Sequence, residues 1–375
     1  MKSLINHFEI LEDPRDIRGK KHELINILVM TVYGILCGYT DFTNLADFLK
    51  VHEDYFIELL QLENGTPSHD TLSNVFAIID PKKFMELFIN WVKEFVKKKG
   101  LHIAIDGKAI KSARDKISGG NTPYIVSAFL TDIGLSIGQV KVDDKSNEIT
   151  AIPALLDLID IKDKIITLDA IGTQEDIANK IIEKKGNFIL KVKSNQKDLL
   201  DDLATYFDLS LKEDSSSIAI TETNWETDHG RMEKRIYYLS YEVDCIHDKR
   251  KWKTVKGIAR VDVHRIENEK ETITKNYYIL SYPFYLNTFI FATRKHWNIE
   301  CSLHWRLDVI MDEDHSRNRV GNSIENLSII RKIVFNLARL DTSMGDKLTL
   351  KQKMTRYTSN FQNIENLIFN VIPSI

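Results

Sequence analysis

The sequence predicts an α/β protein: a mixed sheet with helices on both faces, a helical region before it and a β-rich insertion within it. Three observations predict this class. Continuous apolar runs such as "LHIAID" and "KIITLDA" are typical of strands buried on both faces. Helical patterns separate such runs between residues 101 and 200, as they do in sheets with helical crossovers. Later segments such as "RIYYLSYEV" alternate polar and apolar residues and are rich in Thr and Tyr, which predicts the insertion.

The boundaries follow from where these patterns change. "HELINILVMTVYGILCG" and "DPKKFMELFINWVKEFVKKKG" have apolar residues at helical spacing, which predicts a helical N-terminal domain. "PYIVSAFLTD" and "LSIGQVKVD" predict a β-hairpin around Gly134. The predicted regions are a helical domain at 1–98, a central α/β core at 99–200 and 287–342, the insertion at 201–286 and a C-terminal tail at 343–375.

Composition excludes several classes of protein. The 375 residues are 43% hydrophobic and 28% charged, which is ordinary for a soluble globular protein. No apolar run reaches the roughly 20 residues of a membrane span, and the N-terminus lacks a secretory signal pattern. The 3 cysteines lie far apart and form neither a metal knuckle nor a disulfide framework. We therefore expect a cytoplasmic protein without a membrane partner.

The net charge of the chain does not exclude nucleic acid as a partner. The net charge of −3 means that a DNA-binding face would have to gather basic residues locally. The stretch "KRKWKTVKGIAR" at 249–260 does so, with six basic residues and no acid. Such a run is also common on ordinary solvated surfaces. The pattern makes a DNA surface plausible and does not establish one.

Two predicted strands end on an aspartate. Asp106 ends "LHIAID" and Asp169 ends "KIITLD", and Gly107 and Gly172 follow within three residues. Ligand crevices of α/β sheets lie beyond the carboxyl ends of strands, where two close carboxylates repel unless cations lie between them. Oxygen ligands favour magnesium or manganese, and a pair of such ions can promote attack on a phosphodiester. Glu300, isolated among apolar and aromatic neighbours in a predicted helix, is the best third ligand.

A zinc site is the alternative. His296, Glu300 and His304 are spaced i, i+4, i+8 and would share a helical face. Zinc there would leave the two strand-end aspartates without a role. We therefore expect the two histidines to surround the site or to contact DNA.

A long series of motifs in a fixed order carries a family resemblance. The series includes "DPRDIRGKKHELINIL", "TPSHDTL", "IAIDGKAIK", "KSNEITAIPALL", "TLDAIGTQEDIA", "LKVKSNQ", "HGRMEKR" and "RKHWNIECSLHWRLDVIMDEDHSR". Over nearly its whole length the chain resembles the DDE transposases of bacterial insertion sequences, in the branch that includes the H-repeat-associated proteins.

The resemblance implies a fold, a reaction and a site. The fold is a ribonuclease-H-like core, and the reaction is metal-dependent cleavage at the element's ends, then joining of the freed 3′ hydroxyl to target DNA. Asp106, Asp169 and Glu300 would be catalytic and would bind Mg²⁺ or Mn²⁺, as two ions. The partners implied are double-stranded DNA and a second copy of the chain, in the bacterial cytoplasm or on the nucleoid, without a small-molecule substrate. Residues predicted to contact DNA are Lys108, Lys249, Arg250, Lys251, Lys253, Arg294, His296, His304 and Arg306.

Two other functions remain open at the level of sequence. One is a structure-selective, metal-dependent nuclease of the same fold that never joins strands. The other is a domesticated DNA-binding protein with a silent site. Strand-transfer products would exclude the first, and loss of function on replacing Asp106 would exclude the second.

Overall fold

The structure is a computed structural model. It describes residues 2–16, 18, 20–96, 101–113, 122–142, 148–213, 216–228, 230–345 and 347–372. The predicted boundary between residues 98 and 99 lies outside these ranges. No helix in the described ranges is long and apolar enough to cross a membrane.

The described ranges hold α-helices and ten strands. The helices are α1 (Leu4–Phe8), α2 (Leu24–Leu36), α3 (Phe42–Val51), α4 (Glu53–Leu60), α5 (His69–Ile78), α6 (Pro81–Val96), α7 (Glu148–Leu158), α8 (Glu175–Glu183), α9 (Lys197–Ser210), α10 (Leu286–His296), α11 (Trp305–Val309), α12 (Ser323–Leu340), α13 (Leu350–Ser359) and α14 (Gln362–Phe369). The strands are β1 (His102–Ala109), β2 (Tyr124–Leu130), β3 (Leu135–Val142), β4 (Ile165–Leu168), β5 (Asn187–Val192), β6 (Ile218–Glu222), β7 (Glu226–Asp228), β8 (Arg231–Ser240), β9 (Gly257–Glu267) and β10 (Lys270–Leu280). The predicted α/β class is confirmed.

The chain forms two compact units. The first unit comprises residues 1–100, 107–147 and 299–375, and the second comprises residues 101–106 and 148–298. Strand β1 starts in the second unit, and its last three residues belong to the first.

The second unit is built on a mixed sheet. Its strands lie in the order β1-β4-β5-β10-β9-β8-β6, and β7 pairs with β8. Strands β1, β4 and β5 are parallel, whereas β5 to β10 and the remaining pairs are antiparallel. Strands β1 and β4 are therefore parallel neighbours. Strand β4 ends directly before Asp169, but β1 does not end at Asp106 as predicted, because it continues through Gly107 to Ala109. The parallel strands are almost wholly buried, which matches their continuous apolar sequences.

The predicted β-rich insertion differs from expectation in two respects. Residues 201–210 continue helix α9, whose buried Leu199, Leu203 and Phe207 recur at helical spacing. Strand β10 then pairs with β5 through four residue pairs, from Tyr277 opposite Val192 to Leu280 opposite Ile189. The strands of the insertion therefore extend the sheet of the parallel strands.

The first unit packs around α12. This helix is buried on nearly every side, and it contacts α2, α5, α6 and β3. Two of its buried asparagines bond to neighbouring segments: Asn336 exchanges hydrogen bonds of 2.8 and 2.9 Å with the backbone of Ser136, and Asn326 donates to the carbonyls of Phe76 and Ile79. The predicted hairpin is confirmed as β2 and β3, with Gly134 at a φ of 73° in the turn.

Candidate active site

Asp106 and Asp169 occupy equivalent places on neighbouring parallel strands. Ile105 of β1 is paired with Leu168 of β4, and each aspartate is the next residue along its strand. Asp169 directly follows β4 and, with φ −61° and ψ 167°, is the extended residue before the 3₁₀ turn Ala170–Gly172, whereas Asp106 lies within β1. Because neighbouring strands lie about 4.8 Å apart, the two side chains start from adjacent points on one edge of the sheet.

The loop after Asp169 is held by side chains from the segment after β5. Asn195 donates from Nδ2 to the Ala170 carbonyl at 2.7 Å, and Gln196 donates from Nε2 to the Thr173 carbonyl at 3.0 Å. The Thr173 hydroxyl in turn donates to the carbonyl of Lys191 at 2.6 Å. These bonds tie the motif "LDAIGTQ" to the motif "LKVKSNQ".

The carboxylate of Asp169 is fixed by its own loop through one oxygen. Oδ1 accepts a hydrogen bond from the backbone N–H of Ile171 at 3.0 Å. Among the described residues, Oδ2 has no hydrogen-bond donor. One oxygen is therefore positioned by the backbone while the other remains available to a cation.

Close packing explains why glycine stands at the two positions that follow the aspartates, Gly107 and Gly172. A Cβ on Gly107 would lie 2.2 Å from the Tyr124 ring, and one on Gly172 would lie 3.0 Å from the Cβ of Leu168. At both positions the group that closely approaches the glycine is therefore a side chain of this protein. Any larger residue at Gly107 would displace Tyr124 or bend the strand that carries Asp106.

Two histidines and a threonine of the second unit are joined by hydrogen bonds; His102 and Thr167 are buried, and His296 is half-buried. The Thr167 hydroxyl is 2.8 Å from His102 Nε2 and 2.8 Å from His296 Nδ1. Burial lowers the pKa of His102 to about 3. Burial also lowers the pKa of His296 to about 4, although Asp169 acts in the opposite direction. Both imidazoles are therefore neutral near pH 7. The Thr167 hydroxyl is the hydrogen-bond partner of His296 Nδ1.

Glu300 and His304 lie on a π-helical segment of the first unit, Ile299–His304. Glu300 is exposed, with half of its side-chain surface accessible, whereas His304 is buried and lies 4.0 Å away from it. Burial lowers the pKa of His304 to about 3. Single π-helical turns are frequent at functional sites, and this one presents a solvent-accessible carboxylate above a neutral imidazole.

Lys108 lies in the interior of the first unit rather than on a charged surface. Its ammonium is 2.6 Å from Glu313 and also pairs with Asp308, and only 11% of its side chain is exposed. Glu313 is buried; burial opposes its ionisation, but Lys108, Lys332 and Arg331 together lower its pKa to about 2. Lys108 therefore neutralises a buried carboxylate.

The other residues predicted to contact DNA differ in their surroundings. Arg294 forms a two-pronged ion pair with Glu226, with both N···O distances 2.9 Å. Lys251 donates to Gln196 at 2.9 Å and lies over the Trp252 ring. Lys249 pairs with Asp244. The remaining three are Arg250 and Lys253, which are exposed, and Arg306, which is half-buried and whose pKa is lowered by burial and by Arg339.

Lys191 lies beside the candidate site and was not among the site residues predicted from the sequence. Leu190 of β5 is paired with Leu168 of β4, so Lys191 lies beside Asp169. Burial lowers the pKa of Lys191, Lys193 lowers it further, and Asp169 raises it. The available signal was its position directly after the apolar run "FIL" of β5, because a charged residue after an apolar run also selected the two aspartates.

The donor set at this edge fits a hard divalent cation. Asp106 and Asp169, which follow the paired residues Ile105 and Leu168, offer carboxylate oxygens and no thiolate. Magnesium and manganese prefer oxygen ligands of this kind. Asp169 also retains one oxygen without a hydrogen-bond donor among the described residues.

Sequence comparisons identify the family. Residues 97–337 match the profile of the transposase DDE domain, and residues 5–92 match the profile of the region associated with that domain. The chain belongs to the DDE transposase family. The DDE domain of this family is ribonuclease-H-like, and the family implies DNA as partner and a divalent metal as cofactor.

Curated relatives cover the same length of chain. The chain is 38% identical over 366 residues to the H repeat-associated putative transposase YhhI of Escherichia coli K12, which covers 95% of each chain. It is also 38% identical over 348 residues to the putative transposase YncI of Escherichia coli O157:H7, covering 90% of this chain and 88% of the relative. A shorter match, 32% identity over 77 residues, is to a protein named inactive transposase YbfQ from Escherichia coli K12. The relatives support a transposase function for this DDE family member.

Proposed function

We propose that this transposase cleaves phosphodiester bonds at the ends of an insertion sequence and joins the freed 3′ hydroxyl to target DNA. One observation carries the proposal: two aspartates follow paired residues of adjacent parallel strands, inside a region that matches the transposase DDE domain. The preference of such an edge for divalent cations supports a hydrolytic reaction on phosphate.

Asp106, Asp169 and Glu300 are the proposed metal ligands. The half-buried Asp106 and the exposed Asp169 bring adjacent carboxylates to the sheet edge, and Glu300 brings an accessible carboxylate on the π-helical segment. Together they would hold two Mg²⁺ or Mn²⁺ ions. The bound ions would activate the attacking hydroxyl and stabilise charge on the leaving oxygen.

The remaining residues of the site orient these ligands. Asn195 and Gln196 restrain the loop that follows Asp169, so that its carboxylate needs little reorganisation on binding a cation. His296 lies close enough to Asp169 to interact with its charge, and its neutral ring adds no positive charge that would repel a cation.

The proposed partners are double-stranded DNA and a second copy of the chain. The exposed Arg250 and Lys253 support a DNA-facing surface on the second unit. Recognition of element ends is assigned to the helical region at 1–98, part of which matches the DDE-associated profile. The protein would act in the bacterial cytoplasm, on DNA of the nucleoid.

The test uses a duplex copied from the inverted repeats in the DNA that flanks the gene, precut at the 3′ ends. With Mg²⁺ and a supercoiled target plasmid, the protein should produce joined products. Asp106→Ala, Asp169→Ala and Glu300→Ala should each reduce joining by about a thousandfold or more, since metal stabilisation of charge is worth several kcal/mol. Each variant should still bind the duplex at low salt.

Asp54→Ala, at an exposed carboxylate on α4, is the matched control and should join DNA like the wild type. Nicked products without joined products would favour the structure-selective nuclease. Normal function of all three acidic-site variants would favour a DNA-binding protein with a silent site. Either result would contradict the proposal.

A further inference from the structure

Lys191 completes a row of charged residues across three parallel strands of the second unit. Ile105, Leu168 and Leu190 are aligned across β1, β4 and β5. The next residue in each strand is charged: Asp106, then Asp169, then Lys191. A cation therefore lies directly beside Asp169, one strand further from Asp106, at the same edge of the sheet.

The Lys191 side chain points to the side of the sheet that Asp169 uses. Successive side chains on a strand alternate between faces, and the paired Leu168 and Leu190 are both buried. Asp169 is exposed and Lys191 half-buried. The interaction between their charges agrees with this arrangement.

Lys191 differs from three of the cations predicted to contact DNA. Lys108, Lys249 and Arg294 each form an ion pair with a carboxylate. Among the residues that the structure describes, no carboxylate lies within ion-pair distance of the Lys191 ammonium. A half-buried ammonium loses hydration and gains no fixed partner, which is unfavourable unless an anion occupies the space beside it.

We propose that Lys191 is a catalytic residue whose ammonium donates a hydrogen bond to a non-bridging oxygen of the scissile phosphate. This inference rests on the proposed function, because the phosphate must lie at the aspartate edge. The row of charges suits such a substrate: cations held by Asp106 and Asp169 approach one side of the phosphate, and Lys191 approaches from the neighbouring strand.

In this reaction Lys191 transfers no proton. The oxygen of water forms a bond to phosphorus as the P–O3′ bond breaks, and the electron pair of that bond leaves with the 3′ oxygen. The water loses a proton to solvent, and the 3′ oxygen gains one from solvent. The ammonium stabilises the negative charge that accumulates on the non-bridging oxygens in the transition state.

The experiment measures single-turnover cleavage, with Mg²⁺, of a duplex copied from the DNA that flanks the gene. Lys191→Ala should slow cleavage by about 10²–10³-fold, the usual cost of removing one transition-state donor. Lys191→Arg should retain more activity than Lys191→Ala, because it keeps a positive donor. Lys162→Ala is the control: this exposed lysine precedes β4 at the opposite end of the strand, and its loss should leave the rate unchanged.

A second substrate distinguishes a direct contact between Lys191 and the phosphate from a purely structural role of Lys191. A methylphosphonate at the scissile position replaces one non-bridging oxygen by a methyl group, and its two stereoisomers test the two oxygens separately. If Lys191 contacts one oxygen, Lys191→Ala should slow the corresponding isomer far less than it slows natural DNA, because the contact is already lost. For the other stereoisomer, Lys191→Ala should reduce the cleavage rate by the same factor as it does for natural DNA.

Three outcomes would overturn the assignment. In one, Lys191→Ala cleaves natural DNA at a rate within about threefold of wild type, far from the loss expected of a donor. In another, the variant slows natural DNA and both stereoisomers equally, as a purely structural defect would. In the third, the wild type cleaves no DNA with Mg²⁺, which contradicts the proposed function and the role of Lys191 with it. Only the first two leave the proposed function intact.

Discussion

The ammonium of Lys108 lies 2.6 Å from the carboxylate of Glu313, and both side chains are buried. Lys108 is two residues beyond Asp106 on β1, whereas Glu313 and Asp308 follow the π-helical segment that carries Glu300. The pair therefore fixes the end of the strand to the segment after the π-helix, inside the first unit. It also compensates a carboxylate that has little access to water.

Lys108→Ala should destabilise the protein by about 3–5 kcal/mol, because it leaves Glu313 and its neighbour Asp308 in the interior with less compensation. Thermal unfolding measures the loss. The double variant Lys108→Met with Glu313→Gln should recover part of it, since no unpaired buried carboxylate remains at position 313. A variant of normal stability that binds DNA with a salt dependence shallower by about one charge would instead identify Lys108 as a phosphate contact.

Glu226→Gln should free the guanidinium of Arg294. The pair is partly exposed, so the stability of the protein should change by less than about 1 kcal/mol. If Arg294 contacts DNA, release from Glu226 should tighten binding, and Arg294→Ala should weaken it with a slope of log affinity against log salt shallower by about 0.9. Equal affinities and equal salt slopes for the two variants and the wild type would show that Arg294 does not contact DNA and only forms the ion pair with Glu226 of the insertion.

Asn195→Ala should impair catalysis by loosening the loop that follows Asp169. It removes the 2.7 Å hydrogen bond to the Ala170 carbonyl. A net loss of about 1 kcal/mol predicts cleavage roughly fivefold slower and a higher Mn²⁺ concentration at half-maximal rate. Asn195→Asp should be at least as damaging, because its carboxylate would face that carbonyl. Ser194→Ala, at the neighbouring exposed position, should match the wild type; an unchanged Mn²⁺ dependence in Asn195→Ala would refute the restraint.

Acid should destabilise the protein through its buried histidines. Burial lowers the pKa of His102 from 6.5 to about 3, with smaller contributions from His296 and Lys295. Between those pH values the unfolded chain binds a proton that the folded chain does not, so stability falls as pH decreases, by about 1.4 kcal/mol per pH unit for one histidine. His102→Gln should therefore show a smaller loss of thermal midpoint between pH 7 and pH 5. His69→Gln, at an exposed site, should show the wild-type loss.

The prominence of Asp106 and Asp169 was predictable because both follow short apolar runs. A strand buried on both faces has a continuous apolar sequence, and the polar residue at its end is then conspicuous. The β2–β3 hairpin was predictable for a similar local reason, since Gly134 supplies the left-handed turn. These signals lie within about ten residues of chain and need no knowledge of distant partners.

Long-range relationships were not predictable from pattern alone. Strand β10 pairs with β5 across roughly eighty residues of sequence, and no local feature specifies that partner. The basic residue of "IDGK" looked like a surface charge, yet Lys108 is buried because Asp308 and Glu313, some two hundred residues later, neutralise it. His304 is buried as a neutral imidazole, because burial lowers its pKa to about 3. Charge in a sequence indicates exposure only when no distant partner compensates it.

A crystal structure of the protein grown with Mn²⁺ tests the central claim most directly, because the anomalous signal of manganese locates each ion independently of the protein. The account predicts manganese bound by carboxylate oxygens of Asp106, Asp169 and Glu300, with Mn–O distances of about 2.1–2.2 Å, near the values for Mg²⁺. Manganese bound elsewhere, or bound by the two aspartates with the Glu300 carboxylate turned away from it, would contradict the account.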